Sequence, residues 1–210
     1  MSDVLGVFAL PGVVLFPAAT IPLHVFEPRY RALVRDALVG DRRFAMALLR
    51  GGSDPQQPTP EIYPIGCAGR IGDLVPLPDG RFLLTLTGTQ RVEFGEITRD
   101  APYRCHRVRY LPELPPDEGS PRTQEALLRL LSAYQQIVSA ASGRSSASPL
   151  LTGMPFAETV NRIAFGLDLD PPAKYRLLEN GDLFARAERL AGLLESALPR
   201  YLDLDDDSVN

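Results

Sequence analysis

Proline sets the strongest limit on what this chain can become. Twenty of the 210 residues are prolines, and ten of them lie in residues 1–78. That is about twice the usual share of roughly 5%. Each one fixes φ and removes a backbone donor. A stretch broken by Pro11, Pro17, Pro22 and Pro28 therefore has no room for long helices and favours short strands joined by turns. A second cluster, Pro102 through Pro121, brackets Leu111-Pro112-Glu113-Leu114-Pro115-Pro116-Asp117-Glu118-Gly119, where the sequence changes character. A domain junction is expected there.

Before the junction, the apolar runs Val7–Leu10, Val13–Phe16 and Ile21–Val25 predict strands separated by bends. Glu27-Pro28 opens a helix over about 28–39, with Pro28 at the first helical position, where its missing N–H costs nothing. Tyr30, Leu33, Val34, Ala37 and Leu38 share one face, and Gly40 is expected as a left-handed end. Phe44–Leu49 reads as a strand covered on both sides. Four more strands are expected at Ile65–Ile71, Arg81–Thr87, Arg91–Ile97 and Arg104–Leu111. Gly66, Gly69 and Gly72 fit a bend or bulge in a tight barrel. Gly51–Pro60 is a polar loop.

After the junction the spacing becomes helical. Ser120 caps a helix begun by Pro121, with Leu127, Leu130, Leu131, Tyr134, Ile137 and Val138 as its apolar stripe. A serine-rich connector over 142–148 leads to helices at about 156–165, 172–178 and 182–198, with Asp170 and Asp182 as caps. The expected organisation is an α+β fold: residues 1–112 form a β barrel with one helix, 120–199 a helical bundle, and 200–210 an acidic tail.

Composition excludes much chemistry. Of the 22 basic residues, Lys174 is the only lysine. It lies in Pro172-Ala173-Lys174-Tyr175, outside any phosphate-binding G-x-x-x-x-G-K motif, so no ATP site of that class is present. No G-x-S-x-G, H-E-x-x-H or cysteine–histidine nucleophile motif occurs. Cys67 and Cys105 read as small core residues. Cys105 and His106 are strand neighbours on opposite faces, and do not combine with Cys67 and His24 into one tetrahedral site. No metal or cofactor is expected. Residues 1–110 hold 13 basic and 11 acidic groups, and residues 111–210 hold 9 and 15. This balance disfavours nucleic acid, although Tyr103–Tyr110 is locally basic. Residues 4–26 lack the positive start of a signal peptide and are broken by proline, so no membrane segment and a cytoplasmic location are expected.

The segment Leu10-Pro11-Gly12-Val13-Val14-Leu15-Phe16-Pro17-Ala18-Ala19-Thr20-Ile21-Pro22-Leu23-His24-Val25-Phe26-Glu27-Pro28-Arg29-Tyr30 closely resembles the N-terminal substrate-recognition domain of the ATP-dependent Lon protease, above all its stand-alone bacterial version. Asp41-Arg42-Arg43-Phe44, Ile65-Gly66-Cys67-Ala68-Gly69-Arg70-Ile71, Gly80-Arg81-Phe82 and Leu86-Thr87-Gly88-Thr89-Gln90-Arg91-Val92 match in order. Lys174-Tyr175-Arg176-Leu177-Leu178-Glu179 resembles a late helical element, with Tyr175 in place of its usual glutamine. The resemblance implies a PUA-like β pseudo-barrel followed by a helical bundle, and a role in holding substrate chains. The ATPase and Ser-Lys peptidase parts of that protease have no counterpart motif here, so the resemblance implies a non-enzymatic protein. The expected partner is a polypeptide or another protein, held at the barrel surface or the barrel–bundle cleft. His24, Phe26, Arg29, Tyr30 and Arg91 are the expected contact residues, with Glu27 and Arg29 either paired locally or facing a groove. An RNA-associated role and an ATP-independent hydrolase are the alternatives. Leu150, Leu151, Met154 and Phe156 could form an apolar patch for oligomerisation or close the bundle core. Both readings remain open from sequence.

Overall fold

In a computed structural model, residues 2–52, 60–142 and 153–206 are described. The chain divides into two compact units, each made of two separate stretches: residues 1–112 with 165–179, and residues 113–164 with 180–210.

The first unit is built on six strands: β1 (Ser2–Leu10), β2 (Thr20–Val25), β3 (Arg43–Leu48), β4 (Ile65–Pro76), β5 (Phe82–Arg99) and β6 (Cys105–Leu111). Their order is β2-β5-β4-β3-β1-β6, and a further pairing of β5 with β6 closes five of them into a ring. Only β1 and β3 run parallel, with Val7 opposite Ala45 and Leu10 opposite Leu48. The helix α1 (Pro28–Val39) lies between them in sequence, as a parallel crossover requires. β2 stands outside the ring and pairs with the first part of β5 alone. The result is an α+β protein with a β pseudo-barrel and helices following the strands.

Apolar alternation places Leu5, Ala45, Ala68, Val92 and Val108 in one shared core, while Phe44, Ala45 and Met46 of β3 are buried on both faces. Both cysteines are buried and free. Gly66 and Gly69 serve close approach. A Cβ on Gly66 would collide with the Met46 carbonyl and come within 2.6 Å of the Phe94 ring, and one on Gly69 would lie 2.7 Å from Leu86. The register shift between Ala68 and Gly69 marks the bulge at that point.

Several expectations change. Val13–Phe16 is not a strand: the run is bounded by left-handed Gly12 and Ala18, and Val14, Leu15 and Phe16 enter the core without a ladder. Arg81–Thr87 and Arg91–Ile97 are parts of one strand, β5, which passes through Gly88. Gly40 is not left-handed, with φ −91°. Arg42, with φ 62°, takes that role instead, and its N–H donates to the Ala37 carbonyl at 2.9 Å.

The helix α4 (Pro171–Glu179) belongs to the first unit rather than to a continuous bundle over 120–199. Its Tyr175 ring lies 4.3 Å from Tyr63. Its last carbonyls, those of Leu178 and Glu179, each accept from the Arg91 guanidinium at 2.7 Å. A cation at a helix C-terminus satisfies orphan carbonyls and the dipole together.

The second unit contains α2 (Pro121–Ser142), most of α3 (Phe156–Gly166) and α5 (Leu183–Asp206). Ser120 Oγ accepts from the Thr123 N–H at 3.2 Å, and Asp182 Oδ1 from the Ala185 N–H at 3.0 Å, so both act as caps. The buried line of α2 is Ala126, Leu130, Ala133 and Ile137, shifted from the expected stripe, with Leu130 fully enclosed. Phe156 is also buried and so closes core rather than forming a surface patch. Leu150 and Leu151, the connector over 143–148 and residues 53–59 of the polar loop lie outside the described residues. The expected tail begins later than residue 200, since 200–206 continue α5 past Pro199. Residues 207–210 are outside the description. Among the described residues no helix is long and apolar enough to cross a membrane.

Candidate functional site

The turn from β2 into α1 brings four of the five expected contact residues into one stretch. β2 alternates, sending Leu23 and Val25 inward and Pro22 and His24 outward. The outward residues continue to Phe26, which is 58% exposed, with the His24 and Phe26 rings 5.7 Å apart. His24 pairs directly across from Leu83 of β5, and Leu83 across from Val75 of β4. Directly paired residues share a face. His24, Leu83 and Val75 thus form a row across three strands, with exposed Leu83 and Val75 apolar.

Beside Phe26 a cleft of about 640 Å³ opens, within the range of small-ligand and peptide sites. Val7, Ala9, Phe26, Arg29, Tyr103 and Arg104 are among its lining residues. It lies at the end of the β1–β6 pairing: after Gly6 opposite Cys105, one more main-chain bond runs from the Val7 N–H to the Arg104 carbonyl at 2.8 Å. Glu27 and Arg29 both pair and line this cleft, with Nη2 of Arg29 2.8 Å from Glu27 Oε2. The Arg29 guanidinium also lies 4.5 Å from the centre of the Tyr30 ring.

Tyr30 has a structural task. Its ring stacks on Phe8 at 3.9 Å. Its hydroxyl accepts from the Ala9 N–H at 3.2 Å and donates to the Ala9 carbonyl at 2.8 Å. One side chain thereby satisfies both backbone groups of a strand residue that β6 no longer reaches. Burial pushes the Tyr30 hydroxyl above its ordinary pKa.

Arg91 lies elsewhere. It is 3% exposed, and besides the α4 carbonyls it donates to the Pro112 carbonyl at 3.1 Å. A guanidinium spent on main-chain oxygens is a structural cap, which removes Arg91 from the contact surface. The residue that sequence reasoning passed over is Arg104. Strand alternation puts it on the face opposite Arg107 and Arg109. Arg107 and Arg109 face acids across the strand pair: Arg109 Nη2 is 2.5 Å from Glu93 Oε2 and Arg107 Nε 3.9 Å from Glu96 Oε2.

Neither cysteine nor histidine clusters. Cys105 Sγ accepts from Arg99 Nε at 3.2 Å, and His106 Nδ1 lies 2.8 Å from the Gly95 carbonyl. Among the described residues no group of three or more His, Cys, Asp or Glu could hold a metal ion.

A closed strand ring with an apolar row and a cleft on its surface defines a β pseudo-barrel domain of the α+β class. The family model of the ATP-dependent protease La (LON) substrate-binding domain matches residues 4–196, and the chain belongs to that family. It is 26% identical over 204 residues to a Lon protease of Azorhizobium caulinodans, covering 94% of this chain and 23% of that protein. It is 28% identical over 202 residues to a Lon protease of Dictyoglomus thermophilum, covering 94% of this chain and 25% of that protein. The chain thus spans about a quarter of the length of these relatives and matches only their substrate-binding part. Among solved structures, a Lon N-terminal domain protein from Xanthomonas campestris superposes with TM-score 0.62 at 27% identity, covering 90% of this chain and 98% of that one. The N-terminal domain of a Mycobacterium avium complex Lon protease shares the fold, with TM-score 0.66 at 17% identity, over 92% of this chain and 98% of that one.

Proposed function

We propose that this chain is a non-catalytic module that holds extended polypeptide, from an unfolded protein or a protein partner, at the surface formed by His24, Phe26, Leu83 and the adjoining cleft. The exposed apolar row across β2, β5 and β4 carries this reading. Phe26 at 58% exposure and Val75 at 55% remain in water although the same strands bury their other face. Large apolar side chains exposed together are a common mark of a binding surface. An extended chain presents alternate side chains to one face, and a row of this kind receives them without a cofactor. Arg29 stands at the cleft with its charge partly compensated by Glu27, and Tyr30 holds the floor in place.

Fluorescence anisotropy with a labelled, permanently unfolded casein peptide tests the reading. Phe26→Ala and Leu83→Asp each weaken binding by about tenfold, the scale of one aromatic anchor, while their thermal unfolding stays close to that of the parent. Absence of binding by the parent protein at high micromolar concentration would overturn it.

A further inference from the structure

Among the described residues, the cleft holds a cation that has no ion pair. Arg104 stands in its wall. One of its five N–H donors goes to the Pro60 carbonyl at 2.7 Å, and its buried Nε has no hydrogen-bond partner. Glu27, an acid at the cleft, is already engaged by Arg29. Asp100 lies on the exposed rim, where water screens it, and makes no hydrogen bond to Arg104 among the described residues. Burial lowers the pKa of Arg104, with Asp100 as the main opposing influence. A partly desolvated guanidinium without an ion pair calls for an anion. The rest of the lining includes Val7, Ala9, Pro28, Ala101 and Pro102, which call for an apolar group beside it.

We propose that this cleft is a subsite for the C-terminal carboxylate of a polypeptide whose last side chain is apolar, with Arg104 as donor to the carboxylate and Val7, Ala9 and Pro102 receiving the side chain. This rests on the polypeptide-binding reading above. A chain terminus fits better than an internal acidic residue. The terminal carboxylate and the last side chain share one Cα, so both reach neighbouring parts of a single cleft. In an extended chain an internal acid has its immediate neighbours on the opposite face, and an apolar partner comes only two residues away. A terminal carboxylate also pairs with a guanidinium in two-pronged geometry.

The test uses the whole chain and three short fluorescein-labelled peptides of one apolar sequence: a free acid, its C-terminal amide, and an amide with an internal aspartate. The parent protein is expected to bind the free acid at least about tenfold more tightly than either amide, the scale of one charge-assisted contact. Arg104→Gln brings the acid-to-amide ratio close to one. Pro28→Glu does the same by placing a carboxylate at the cleft, in a first helical turn where an acid favours the helix. Should Arg104→Gln lose its cooperative melt, the parent's ratio and Pro28→Glu still decide the matter. Equal binding of acid and amide overturns the carboxylate subsite and leaves the polypeptide-binding reading standing. Equal binding of the free acid and the aspartate amide overturns the assignment to a chain terminus. Failure of all three peptides to bind overturns both readings.

Discussion

Arg186, Arg91 and Arg104 all withdraw from water, and each replaces lost hydration differently. Arg186 is fully buried, yet it donates to Glu113 Oε1 at 2.5 Å, to Asn161 and to the Asn180 carbonyl at 2.6 Å. Asn161 Nδ2 closes the network by donating to the other Glu113 oxygen at 2.9 Å. Arg91 uses carbonyls where Arg186 has a carboxylate, and Arg104 has a single carbonyl. The forked guanidinium makes such arrangements available where an ammonium does not. The fold alters the proton affinity of His106. Burial, and secondarily the Arg104 charge, hold its pKa below the ordinary value of 6.5, although its contact with the Gly95 carbonyl works the other way. The unfolded chain therefore takes up a proton near pH 6.5 that the folded chain refuses. Stability is full above that pH and declines as pH falls through it toward the lower folded value. Thermal midpoints measured from pH 8 to pH 5 are expected to fall over the acid half of the range. His106→Asn, whose amide stands in for Nδ1 and keeps an N–H for Gly95, flattens the fall, and a slope unchanged in that variant would count against His106 as its source.

At the scale of elements, α4 is held to the strands by the Arg91 cap and to the segment before β4 by the tilted ring contact of Tyr175 with Tyr63. Burial pushes the Tyr175 hydroxyl up to about 12, so it stays protonated throughout the working range. Arg91→Leu leaves the Leu178, Glu179 and Pro112 carbonyls without that donor and is expected to cost about 3 kcal/mol, given about 1–3 kcal/mol for each buried polar group stripped of its partner. Urea unfolding measures the loss, and limited proteolysis should then cut near residue 179 before other sites. A loss below about 1 kcal/mol would show that water replaces the guanidinium. Helix α1 was legible in sequence because Pro28 and the spacing of Tyr30, Leu33 and Val34 state both its start and its buried face. The placement of α4 was not. Periodicity says which side of a helix is apolar but not which element covers it, and Arg91 reaches the α4 carbonyls across more than eighty positions. The cleft was half legible for the same reason. Phe26 and Arg29 stood within one readable stretch, whereas Arg104 joins them only through long-range pairing, its carbonyl accepting from the Val7 N–H of β1.

For the whole molecule, the two units are interleaved along the chain, so a single cut does not separate them. Residues 1–112 alone contain every strand but lack α4. That fragment is expected to lose the sharp thermal transition of the full chain, seen by circular dichroism, and to regain part of it when a peptide spanning 165–179 is added. A fragment melting as sharply and at the same temperature as the full protein would refute this. The acidic excess of the later half, 15 acids against 9 basic groups, lies mainly in the second unit.

The interleaving also fixes an order of events during synthesis. When the ribosome has released β6, all six strands are available, but Arg91 is still without the carbonyls that cap it. Residues 113–164 must emerge before α4 arrives. The nascent barrel must therefore wait for roughly seventy further residues, a delay of several seconds at ordinary elongation rates, with the Pro112 carbonyl alone to receive Arg91. Completion of a β structure that looks finished at residue 112 depends on a helix made after most of another unit.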